Sequence, residues 1–109
     1  MTFVKLGAVR AFPGAVPDKA QALKVLEEAA EVFGAWQEWD RFHRVHSVFD
    51  HPKAMTAKAM KESIIAECCD TIQACCNLAA SLGVTDLTPY LARREERNRE
   101  RGRYDSGDR

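Results

Sequence analysis

Apolar positions along this chain recur at helical spacing in three stretches, and no run alternates as a strand series would. In the first stretch Leu26, Ala29, Ala30 and Phe33 follow i, i+3, i+4 and i+7, with Trp36 one turn further on, which predicts a helix with this face in the core. Asp18 suits its N-cap and Gln21 the reciprocal position of a capping box, and the pattern carries across Gly34 to about Phe42. The segment 44–52, RVHSVFDHP, breaks the pattern; Pro52 fits the first turn of a following helix, with Asp50 near its cap.

The second helix is clearest from Lys61 to Leu82, with a start as early as Lys53, and Gly83 is the expected left-handed stop. A third helix follows, with Thr88 as N-cap and Pro89 at its first position, running to about Arg101 before Gly102. Ahead of all three, Phe3, Val4, Leu6 and Val9 are interrupted by Gly7, Pro13 and Gly14, so residues 1–17 read as a short strand or an extended arm. The expected organisation is all-α: this arm, a helical domain over 18–104 and a frayed tail over 105–109.

With 109 residues, 46% hydrophobic and 29% charged, the chain has the length and composition of one globular domain. No apolar run approaches the ~20 residues that cross a bilayer, and no charged-then-apolar leader is seen, so a cytoplasmic address without a membrane partner is expected. There thiols stay reduced.

A net charge of +0 hides segregation. Glu27, Glu28, Glu31, Glu38 and Asp40 fall in a stretch without Lys or Arg, as do Glu67, Asp70 and Asp86 further on. The i+4 positions of Glu28, Glu31, Glu67 and Asp70 hold Val32, Ala35, Thr71 and Ala74, so these acids are expected to lack local partners. Arg93 to Arg103 then concentrates six arginines against three glutamates. Without net positive charge to sustain it, nucleic-acid binding is not expected.

The four cysteines of AECCDTIQACCN draw the eye first. Cys68, Cys75 and Cys76 share a helix face with Ile64, Ile72, Ala79 and Leu82, where free cysteine packs as a small hydrophobe. Adjacent residues on a helix aim ~100° apart, so neither Cys-Cys pair offers zinc-ligand spacing. His43, His46 and His51 could in principle serve zinc, but solvated histidines are the simpler expectation.

The acids are more informative. Glu28 and Glu31, like Glu67 and Asp70, stand at i and i+3, each pair on one side of its helix. Taken alone, the first pair reads as the wet face opposite the core stripe. Two such pairs on facing helices can also converge on Mg²⁺ or Mn²⁺, which take oxygen ligands and leave positions for water and phosphate. The arginine-rich segment is either a charged helix end stabilised by Glu–Arg pairs or a clamp for phosphates.

Glu27-Glu28-Ala29-Ala30-Glu31, then Glu67-Cys68-Cys69-Asp70, then Arg94, Asn98, Arg101 and Tyr104 together resemble the MazG-like all-α nucleoside triphosphate pyrophosphohydrolases. The resemblance rests on EExxE, ExxD and a following basic, Asn, Arg and aromatic series, and it spans about residues 18 to 104. Arg94 stands where Lys is usual, and the interval from Glu31 to Glu67 is longer than usual. It implies a bundle of three to four antiparallel helices completed by oligomerisation, working as a homodimer or homotetramer. Phe33, Trp36, Trp39 and Phe42, spread over more than one helical face, independently favour an oligomer.

The implied reaction converts an NTP or dNTP to the monophosphate and pyrophosphate. Glu28, Glu31, Glu67 and Asp70 would hold Mg²⁺ or Mn²⁺, and Glu27 or Glu31 would position or deprotonate the water. Arg94, Asn98, Arg101 and Tyr104 would serve the substrate phosphates. A phosphoribosyl-ATP pyrophosphohydrolase belongs to the same superfamily. The alternative from another class is a non-catalytic helical oligomerisation or interaction module with a vestigial acidic cluster; a histidine-based zinc adaptor is a third.

Overall fold

The structure, a computed structural model, describes residues 1–46 and 53–105, and among these all regular structure is helical. Helix α1 spans Lys19–His46, α2 spans Lys53–Ser81 and α3 spans Thr88–Glu100. The Pro52 start and Asp50 cap expected for α2, and His51, lie outside the described residues.

Local chemistry explains most boundaries. Asp18 Oδ1 accepts the Gln21 N–H at 2.9 Å and caps α1, as the sequence predicts. The reciprocal half of the capping box is not formed, because the Asp18 N–H donates to the Val16 carbonyl instead. α2 ends where Gly83 adopts φ 83°. The Gly83 N–H then reaches the Ala80 carbonyl and the Val84 N–H the Ala79 carbonyl, a Schellman closure that needs the left-handed residue. At α3 the cap differs from expectation. The Thr88 side chain does not cap; the Asp86 carboxylate accepts the Thr88 backbone N–H at 3.0 Å, and this bond lowers the Asp86 pKa.

α1 and α2 pack as an antiparallel pair. Their contact stripes keep a 3-4 spacing: Val25, Glu28, Val32, Ala35, Trp39 and Phe42 on α1, and Ile64, Glu67, Thr71, Ala74 and Leu78 on α2, all buried or half-buried. Among the described residues α3 packs on neither helix. Residues 1–17 form an extended arm without a strand, bound to α2 through the Phe12 N–H to Asn77 Oδ1 bond and the Gln73 Nε2 bond to the Arg10 carbonyl, both 2.9 Å.

The stripe expected to be core is not the packed one. Leu26 is 66% exposed, Phe33 58% and Trp36 42%, and Ala29 and Ala30 face outward too. α1 is apolar on two overlapping faces, and periodicity identifies both without saying which one α2 takes. The side assigned to solvent, with Glu28 on it, is the side that packs. The cysteine expectation is likewise met only in part: all four are free, Cys68 and Cys76 are half-buried, and Cys69 and Cys75 are exposed.

Candidate metal centre

Two glutamates occupy positions in the α1–α2 seam that a helix pair ordinarily fills with apolar side chains. Glu28 of α1 keeps only 13% of its side chain exposed, and Glu67 of α2 is half-buried. Glu31, one turn after Glu28, reaches the same place from the seam's edge. One carboxylate oxygen from each of Glu28, Glu31 and Glu67 lies within 4.8 Å of the other two. Glu67 Oε2 is buried with no hydrogen-bond partner.

Such crowding perturbs the carboxyls. Glu31 shares a hydrogen bond with Glu28 and feels its charge, and partial burial and Glu67 act in the same direction, so its pKa is raised above the ordinary carboxylate value. The Glu28 pKa is lowered, first by that hydrogen bond and then by Lys24, with partial burial opposing. The two therefore titrate as a pair in which Glu31 holds the proton longer.

The donor set fits a hard divalent cation. It is all oxygen, the chemistry that suits Mg²⁺ or Mn²⁺ rather than zinc, and it includes the buried, unpartnered Glu67 Oε2. Ligands ~2.1 Å from one Mg²⁺ stand at most about 4.2 Å apart. Three oxygens within 4.8 Å of one another are thus close to the spacing that one such ion would require.

The remaining candidates fall elsewhere. Asp70, one turn beyond Glu67, lies outside the three-oxygen cluster but lines an adjoining cleft with Glu28. Glu27 is 65% exposed at its side chain and sits 3.6 Å from Lys24. Arg94 and Arg101 are exposed and form no ion pair among the described residues; Asn98 and Tyr104 accompany them on α3 and just beyond it. Because α3 packs on neither partner helix, one chain by itself does not bring these groups to the acids. His43 is engaged by its own helix, with Nδ1 2.8 Å from the Trp39 carbonyl oxygen and its ring 4.3 Å from the Trp39 ring.

Sequence reasoning missed Lys24. Its Nζ is 3.3 Å from Glu28, and the two glutamates raise its pKa. Glu28 thus has a local cation, found by looking four residues back instead of four forward, while Glu31, Glu67 and Asp70 form no ion pair among the described residues. Glu38 and Asp40 likewise pair with Arg41 and Arg44. Also missed was the cleft of ≈ 490 Å³ between the arm, α1 and α2, which has Glu28 and Asp70 in its wall together with Gln73 and Asn77. Compared with known proteins, the chain matches no family model, no curated protein and no solved structure.

Proposed function

We propose that this chain is a Mg²⁺-dependent nucleotide pyrophosphohydrolase that cuts an NTP or dNTP to the monophosphate and pyrophosphate. The observation that carries the reading is the convergence of Glu28, Glu31 and Glu67 inside the helix seam, with one buried oxygen unpartnered. Acids on a solvated helix face cost little, but acids turned into a helix–helix contact are desolvated and repel one another. A bound cation offsets both costs. The order of the EExxE, ExxD and arginine-rich segments supports the same reaction class.

Glu28, Glu31 and Glu67, with Asp70 one turn beyond Glu67, would be the cation ligands. Bound Mg²⁺ supplies charge neutralisation for the triphosphate and a water of lowered pKa. Glu31, its proton affinity raised by its acidic neighbours, is placed to orient that water and accept its proton. Glu27 would act from farther out, once released from Lys24. Arg94 and Asn98 on α3 and Arg101 at its C-cap would hold the departing pyrophosphate, with Tyr104 beside them.

That last role requires assembly. The chain exposes 8945 Å², against about 6,100 Å² for a folded monomer of this size, and its radius of gyration is 17.5 Å where about 13 Å is usual. Leu23, Leu26, Phe33 and Ile65 stand largely in solvent. A homodimer or homotetramer would cover these faces and bring α3 against an acidic cluster. No helix among the described residues is long and apolar enough to cross a membrane; a cytoplasmic enzyme fits the four free thiols.

The exposed apolar surface also favours a second reading, a helical interaction module with a vestigial cluster. Product analysis separates the two. With Mg²⁺ and a panel of NTPs and dNTPs, the enzyme reading expects stoichiometric monophosphate and pyrophosphate, lost in Glu67→Gln. Absence of turnover on every nucleotide, with an intact fold, would favour the module.

A further inference from the structure

The cleft beside the acids contains one polar side chain whose burial the proposed chemistry does not use. Asn77 is 4% exposed, on α2 two turns past Asp70, and its side chain lines the cleft. Its orientation is fixed from both sides. The Phe12 backbone N–H can only donate, so the atom 2.9 Å away is Oδ1, and Gln73 Nε2 donates to the same oxygen at 2.9 Å. Gln73 is itself anchored by its second bond, to the Arg10 carbonyl. Both acceptor positions of Oδ1 are therefore taken, and the Asn77 Nδ2 group has no partner among the described residues. The arm that fixes Asn77 also walls the cleft: Pro13 and Gly14, the latter at φ 78°, turn the chain over it.

We propose that Asn77 is a specificity-determining residue, donating Nδ2–H to a carbonyl oxygen of a nucleobase bound in the arm cleft, so that the site selects oxo bases over amino bases. The inference rests on the nucleotide reading and names its substrate class. A side chain with its oxygen saturated presents only donors. Facing the O4 of uracil or thymine, or the O6 of guanine, it completes its hydrogen bonding. Opposite the amino group of cytosine or adenine, two donors meet and a buried N–H is left unpaired, which is how polar sites reject a near-isostere. The distances agree with this placement. Seven residues of helix separate Asn77 from Asp70, about 10 Å along α2 and on the scale of a nucleoside. The cleft volume of ≈ 490 Å³ lies in the range of small-ligand sites.

The test is kcat/KM of the intact chain with Mg²⁺ for dUTP and dGTP against dCTP and dATP, accompanied by Asn77→Asp. The native chain should favour the oxo pair about tenfold or more. Asn77→Asp retains an oxygen for Phe12 and Gln73 and replaces the free donor with an acceptor, so the ratio should fall toward unity or invert. A purely structural role for Asn77 would change all four substrates together and leave the ratio intact, which overturns the inference. So does turnover without oxo preference in the native chain, a result that needs no variant and spares the enzyme reading. No turnover and no nucleotide binding overturns both.

Discussion

The α1–α2 seam and α3 are both rich in charged side chains, and the fold treats them oppositely. Glu28 and Glu67 are turned inward, where one Glu67 oxygen is buried without a hydrogen-bond partner, and Glu31 joins them from the rim, where its acidic neighbours oppose its ionisation. The arginines of α3 are spread over a helix that touches neither neighbour, where each is solvated at almost no cost. An expensive charge calls for a reason and a cheap one does not. The seam is therefore the stronger witness to function, and α3 gains meaning only through what the seam requires of it.

The largest expected effect falls on the seam. Glu67→Gln should reduce Mg²⁺-dependent pyrophosphate release by about 100-fold or more, read by product analysis, since even outer partners of metal ligands are worth 10–100-fold. Next comes assembly. Phe33→Glu, on the exposed face of α1, should shift the chain to a smaller species in sedimentation and lower its melting temperature. An unchanged mass would detach α3 from the proposed site. Arg94→Ala should lower kcat/KM by about 10- to 100-fold while leaving the metal-induced rise in melting temperature intact; loss of that rise would place Arg94 in the seam's own stability.

Acidity gives a subtler separation. The raised Glu31 pKa favours the metal-free fold below the ordinary carboxylate pKa, and that contribution is lost as pH rises through the raised value. The lowered Glu28 pKa acts in the reverse sense, lost only as pH falls through it. A metal held by Glu31 would have to displace its proton, so thermal stabilisation by Mn²⁺ should be weak where Glu31 is protonated and grow as pH rises through its pKa. A pH-independent response would exclude Glu31 as a ligand. Smallest is Lys24→Gln, which frees Glu28 from its ion pair and should tighten Mn²⁺ binding by no more than about fivefold, as calorimetry would show.

Much of this was legible beforehand, wherever a residue acts on its near neighbours. Asp18 caps, Gly83 stops a helix through its left-handed φ, and the third helix begins beside Pro89. Which stripe of α1 packs was not legible, because Leu26-Phe33 and Val25-Val32 give equally regular patterns and only α2 decides between them. The same choice carries Glu28 from an assumed wet face into the seam. Lys24 was within reach but lay N-terminal to its partners. The Asn77 latch joins residues 65 apart in the chain, and no periodicity records such a bond.

The most direct test of the central claim is a calorimetric titration of the chain with Mn²⁺ at mildly alkaline pH, without nucleotide, beside Glu67→Gln. The account predicts saturable binding by the native chain with release of protons, and its loss in the variant while helicity is retained. Equal binding by both, or by neither, would contradict the assignment of Glu28, Glu31 and Glu67 as a cation site.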